Sequence, residues 1–157
     1  MKKKVCELCA YSVDACRVAA RLGVDRVELC ASPAAGATGV VFGILTSDGC
    51  VDGERTRQLV EASQGLETTF HRAVDMTADY EQAVRDVIAA GCTRILTSGG
   101  YDKAIDGIEN IRRAVAVAEG RIEIMAGSGV VADNAARLAA AGVDALHFSA
   151  KRMVVGG

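Results

Sequence analysis

The chain has 157 residues and a formal net charge of −2, and half of it is hydrophobic although it holds only three Phe, three Tyr and no Trp. That is enough chain for one soluble domain, residues 1–157, with a core built from Ala, Val, Leu and Ile. The near-neutral charge offers no footprint for nucleic acid or an anionic membrane, and no apolar run approaches spanning length.

Taken in order, residues 5–11 read as a strand, and Ser12 caps a helix over 13–22 that stops at Gly23. Residues 27–30 form a second strand, and 40–45 a third that runs into the turn Ser47-Asp48-Gly49. Residues 54–62 are helical, with Leu59 and Val60 inward and Gly65 closing the helix. The stretch 68–75, TTFHRAVD, alternates like a buried strand, and Thr77 caps a helix over 78–90 ended by Gly91. Residues 94–97 are strand, followed by Ser98-Gly99-Gly100 and a helix near 103–118. Residues 121–125 are strand, followed by Gly127-Ser128-Gly129 and a helix over 133–141, and 145–149 are the last strand.

Strands alternating with helices through short glycine turns imply parallel pairing by right-handed crossovers. Without a GxGxxG after the first strand, the expectation is an α/β fold of the TIM-like (β/α) barrel type, incomplete, with about seven parallel strands. Strand starts near 5, 27, 40, 68, 94, 122 and 145 give steps of 22, 13, 28, 26, 28 and 23. The step of 13 breaks the pattern, because a parallel crossover needs about a dozen connecting residues or more and 31–38 cannot supply one. Either the second and third strands are not parallel neighbours, or a βα segment is lost between them. An open wall there exposes strand edges and favours a homo-oligomer.

Six cysteines stand at 6, 9, 16, 30, 50 and 92. Residues 1–4 lead straight into a strand pattern with no signal peptide, so reduced thiols and a cytoplasmic setting are expected. Glu7-Leu8-Cys9 and Glu28-Leu29-Cys30 repeat one pattern on consecutive strands. Alternation puts Glu7 and Cys9 on one face, and Glu28 and Cys30 likewise. In-register strands about 4.8 Å apart would gather both thiols and both carboxylates. Paired thiolates suit Cu(I), or Zn(II) with histidine; the same pattern also suits small buried hydrophobes. Cys6 and Cys9, three apart on a strand, face opposite ways, and Cys16, Cys50 and Cys92 have no ligand spacing.

Both histidines fall near C-terminal strand ends. His71, sharing a face with Thr69 and Ala73, and His147, sharing one with Ser149, are candidate bases or ligands. Arg72 can clamp an anion or pair with Asp75. Ser98, Gly99, Gly127, Ser128 and Gly129, ahead of helix N-termini, can cradle a phosphate or simply make turns.

The segments ELCAYS (7–12), GVDRVELCASP (23–33), TTFHRAVDM (68–76), RILTSG (94–99), IMAGSGV (124–130) and LHFSAKR (146–152) resemble, in order, the CutC family of copper homeostasis proteins with a TIM-like barrel. The resemblance implies a cytoplasmic protein of copper tolerance, with Cys9 and Cys30 matching cysteines proposed to hold Cu(I). It also implies that Glu7, Glu28, His71, Arg72, Ser98 and His147 line the mouth. Family members carry, after ELC, a glycine-rich loop, a helix, a strand ending in an Arg-Pro-Arg-type motif and another helix. This chain passes instead from ELCASP through AAGAT into GVVFG. Three readings follow: a Cu(I)-binding protein using Cys9 and Cys30, a scaffold without its site, or an enzyme on a small anionic, phosphorylated metabolite. In the last, His71 or Glu28 supplies acid–base chemistry and the Ser98 and Ser128 turns hold the phosphate.

Overall fold

The structure, a computed structural model, describes residues 5–10, 21, 23, 25–29 and 38–149. Seven parallel strands form one sheet: β1 (Val5–Ala10), β2 (Arg26–Leu29), β3 (Gly39–Phe42), β4 (Glu67–Phe70), β5 (Arg94–Thr97), β6 (Glu123–Ala126) and β7 (Ala145–Ser149). Four helices are described, α1 (Gly53–Ala62), α2 (Tyr80–Ala89), α3 (Ile108–Ala118) and α4 (Ala132–Ala140). The helix expected over 13–22 lies almost wholly outside the described residues.

The strand order is β2-β1-β7-β6-β5-β4-β3. This is the circular order of a barrel cut open between β2 and β3, where the short interval of the sequence falls. The second and third strands are not neighbours: β2 pairs with β1, and β3 with β4. The sheet is a curled, incomplete barrel.

Alternation along the strands sorts two cores. Phe70, Ile95 and Ile124 face outward onto Val84 and Val87 of α2, Ile111 and Ala114 of α3 and Leu138 of α4, all almost fully buried. Leu96, Met125 and Ala145, joined by Val5, make a smaller inner cluster. These helices form because their apolar residues recur at helical spacing, so each presents one stripe to the sheet. Asp79, not Thr77, starts α2, accepting from Gln82 N at 3.0 Å.

Two elements differ from the sequence expectation. The strand beginning at TTF ends at Phe70, and Arg72–Met76 winds into a 3₁₀ turn capped by His71, whose Nδ1 accepts from Ala73 N at 3.1 Å. Ala73 therefore shares no strand face with His71. The helix expected from about 103 begins at Ile108, because the chain before it folds back on Ser98 and Gly99. In α1 only Thr56 is fully buried; Leu59 and Val60 are half-buried, and Val60 packs against the outer core as expected.

Candidate functional site

Each of β2, β4, β5 and β6 opens on a charged residue; Arg26, Arg94 and Glu123 are half-buried or buried, while Glu67 stays exposed at the rim. Glu67 Oε2 accepts from Arg94 Nη2 at 2.8 Å, and Arg94 Nε donates to Glu123 Oε1 at 2.7 Å. Arg26 Nη2 reaches the same Glu123 oxygen at 2.6 Å, and Arg26 Nε donates to Glu7 Oε2 at 2.8 Å. Glu7 Oε1 lies 2.9 Å from His147 Nδ1, and His147 Nε2 lies 3.6 Å from Glu28 Oε2. One ionic chain thus runs Glu67–Arg94–Glu123–Arg26–Glu7–His147–Glu28 across the barrel. Strand register builds its end, since Glu7 stands level with Arg26 on one side and His147 on the other.

The His147 side chain is 12% exposed and that of Glu7 10%. Burial works to raise the Glu7 carboxyl, but its hydrogen bond with His147 and the Arg26 charge outweigh that and leave it below its ordinary value. Glu123 behaves likewise, with burial opposed and outweighed by Arg26 and Arg94. Gly127 makes room for Leu96 beside this centre: a Cβ there would stand 2.5 Å from Leu96 Cδ1, and in ordinary contact, 3.4 Å, with His147 Cβ.

A second centre forms at the C-terminal ends of β4 and β5 around Asp75, whose side chain is 3% exposed. Its carboxylate accepts from Arg72 Nε at 2.9 Å, Thr97 Oγ1 at 2.6 Å, Ser98 Oγ at 2.8 Å, Ser98 N at 3.0 Å and Gly100 N at 3.1 Å. Gly99 N donates to Thr97 Oγ1 at 2.9 Å, and Arg72 Nη2 donates to Ser98 Oγ at 2.8 Å. The anion seat expected at Ser98 and Gly99 is therefore filled from within the chain by a carboxylate. At the next turn, Gly127 N donates to Thr97 O at 2.9 Å and Ser128 Oγ to Asp102 O at 2.6 Å. Tyr80 Oη lies 2.8 Å from Thr97 Oγ1, and burial pushes its hydroxyl pKa up.

The CutC family model matches residues 34–152. The chain belongs to the CutC family. A CutC family protein from Bacteroides thetaiotaomicron is 36% identical over 208 residues, taking in 98% of this chain and 84% of the relative. That alignment of 208 residues against a chain of 157 leaves about fifty positions that the relative has and this chain lacks. A CutC family protein from Vibrio cholerae is 49% identical over 116 residues, which are 72% of this chain and 46% of its own length. So this chain spans about half of that relative. The crystal structure of CutC from Streptococcus agalactiae superposes with a TM-score of 0.79 at 27% identity, covering 95% of this chain and 99% of that one.

Of the residues the CutC resemblance places at the mouth, the structure gathers Glu7, Glu28 and His147 in one centre, and Arg72 with Ser98 in the other. His71 joins neither: it caps the 3₁₀ turn, with its ring against Gly43. Cys9 is level with Glu28 and with Ser149 in the backbone ladders, so β1 and β2 are staggered by two residues from the alignment that would set Cys9 opposite Cys30. Cys30 and Cys16 lie outside the described residues. Cys92 is buried, which pushes its thiol up to about 11, and Cys50 is exposed. Among the described residues, no group of three or more His, Cys, Asp or Glu is disposed to hold a metal ion, and no helix is long and apolar enough to cross a membrane.

The chain Arg26, Glu67, Arg94 and Glu123 was not legible as a site from sequence. Its one signal is parity: Arg94 shares a strand face with Leu96, and Glu123 with Met125, and a charge on the inward face of a buried parallel strand requires an internal partner.

Proposed function

We propose that this chain is a cytoplasmic copper homeostasis protein that binds Cu(I), as cargo, through Cys9 and Cys30. The supporting observation is parity: Cys9 stands two residues beyond Glu7 on β1, on the strand face from which Glu7 reaches His147, although the register sets it level with Glu28 and not with Cys30. The Streptococcus agalactiae relative is named for copper homeostasis, and soft thiolates are the ligands that favour Cu(I) over harder ions. An anionic substrate finds less support, because Asp75 fills the Ser98 turn and the interior carries more carboxylates than guanidiniums. The exposed Val27 and Val41 on the edge strands β2 and β3 extend the proposal to self-association, which light scattering of the purified chain tests.

The deciding experiment is an anaerobic Cu(I) titration of the reduced protein against a chromophoric competitor, run beside Cys9→Ser and Cys30→Ser. Each substitution is expected to weaken binding at least tenfold. Unchanged affinity in both variants refutes the thiol pair.

A further inference from the structure

His147 has two nitrogens in two different relations. Nδ1 is 2.9 Å from Glu7 Oε1, an ordinary hydrogen bond, whereas Nε2 is 3.6 Å from Glu28 Oε2, too long for one. A transition ion sits about 2.0–2.2 Å from an imidazole nitrogen or carboxylate oxygen, so atoms 3.6 Å apart can share one at an angle of about 120°. That is near the tetrahedral value. We propose that His147 Nε2 and Glu28 Oε2 form a seat for a divalent transition ion of the Zn(II) type, with Glu7 as the outer carboxylate that orients the imidazole.

Three further features fit. A ligating histidine usually donates its other N–H to a carboxylate, which fixes the tautomer and raises the basicity of the binding nitrogen. Glu7 is placed for that role, and Arg26 and the β1–β7 register hold Glu7 in turn. The surrounding charge does not oppose a cation: Glu123 and Glu7 balance the guanidiniums of Arg94 and Arg26, while Glu67, at the far end of the ionic chain, is 53% exposed. The donor set is also of a different kind from a thiol pair. Imidazole and carboxylate suit Zn(II) and similar divalent ions, so the seat stands independently of the Cu(I) reading. Two donors come from described residues, and water completes the coordination.

The test uses the full chain with both Cys9→Ser and Cys30→Ser, so that no thiol of the proposed pair contributes. Zn(II) is titrated calorimetrically, and Co(II) is followed by its visible absorption. One Zn(II) per chain is expected in this background, with Co(II) ligand-field bands and no sulfur charge-transfer band. His147→Gln and Glu28→Gln should each weaken Zn(II) binding at least tenfold. Glu7→Gln should weaken it about 10- to 100-fold with the circular dichroism unchanged, as loss of an outer carboxylate does. The proposal is overturned by the absence of Zn(II) binding, by its loss in the double serine background, or by undiminished affinity in Glu28→Gln. Glu28 is the more exposed of the two donors, so its variant still decides the matter if His147→Gln does not fold. Failure of the Cu(I) titration in the single cysteine variants would leave these outcomes untouched.

Discussion

Replacing Asp75 by Ala tests whether the C-terminal end of the barrel is held by one carboxylate. Five donors converge on it. They do not count equally. Gly100 N is exposed and would be taken over by water, and Arg72 is 42% exposed, so its ion pair contributes little. Thr97 Oγ1 keeps Tyr80, and the single Ser98 hydroxyl proton turns from Asp75 to the Tyr101 carbonyl. Ser98 N is left buried with no acceptor, which alone costs about 1–3 kcal/mol. With the weakened hydroxyl bonds added, the expected loss is about 3 kcal/mol, out of the roughly 5–15 kcal/mol a domain has. For a chain of this size, that lowers Tm by about 10 °C. Urea unfolding followed by far-ultraviolet circular dichroism measures it, with Arg72→Ala as the comparison, expected to cost less than about 1 kcal/mol. A loss below about 1 kcal/mol in Asp75→Ala, or an equal loss in both variants, refutes the weighting of buried amide over exposed ion pair.

The folded-state carboxyls of Glu7 and Glu123 lie below their ordinary value of 4.5. Their contribution to stability is therefore fully present above that pH and is lost as the pH falls through the lower folded values. Urea midpoints measured from pH 6 to pH 3 should fall, and fall less steeply in Glu123→Gln; parallel curves would refute this. Gly107→Ala would set a Cβ 2.0 Å from Ser98 O and 3.1 Å from Gly99 Cα, backbone that cannot step aside. We expect a loss of about 3 kcal/mol or more in the same urea assay, and a wild-type midpoint would contradict the close approach. Iodoacetamide applied to native protein at neutral pH should modify Cys50 and spare Cys92, which is buried with its thiol pushed up to about 11, until urea unfolds the chain. Peptide mapping reads this, and equal rates would refute it.

The parallel order and the seam were legible because each strand is a short β-branched run and each crossover has a minimum length. A step of 13 residues cannot hold a parallel connection, and the structure duly leaves β2 and β3 unpaired with each other among the described residues. The misread segment is instructive. TTFHRAVD keeps its alternation past Phe70, yet the chain turns at His71, whose Nδ1 caps the turn, while Asp75 takes the amide of Ser98, 23 residues away. A tertiary contact outweighs a local pattern there, and no window along the chain contains it. The ionic chain was hidden for the same reason, since Arg26 and Glu123 are 97 residues apart and meet only because the sheet curls.

That meeting bears on how a barrel with a missing wall keeps its curvature. Strand ladders constrain neighbours, and β2 and β6 are not neighbours. The inner apolar cluster of Leu96, Met125, Ala145 and Val5 is small and, being apolar, favours burial without favouring one direction. The Arg26 guanidinium is directional. It binds Glu7 on the adjacent strand and Glu123 across the interior, and Glu123 continues through Arg94 to Glu67 on β4. The edge strand β2 is thereby tied to the opposite wall by hydrogen bonds whose geometry fails if the sheet flattens. Buried ion pairs add little net stability over apolar residues of equal volume, so the value of this one lies in position. It also sets Glu7 at the angle from which it reaches His147. In this chain the device that compensates for the open seam and the device that orients the imidazole are the same arginine.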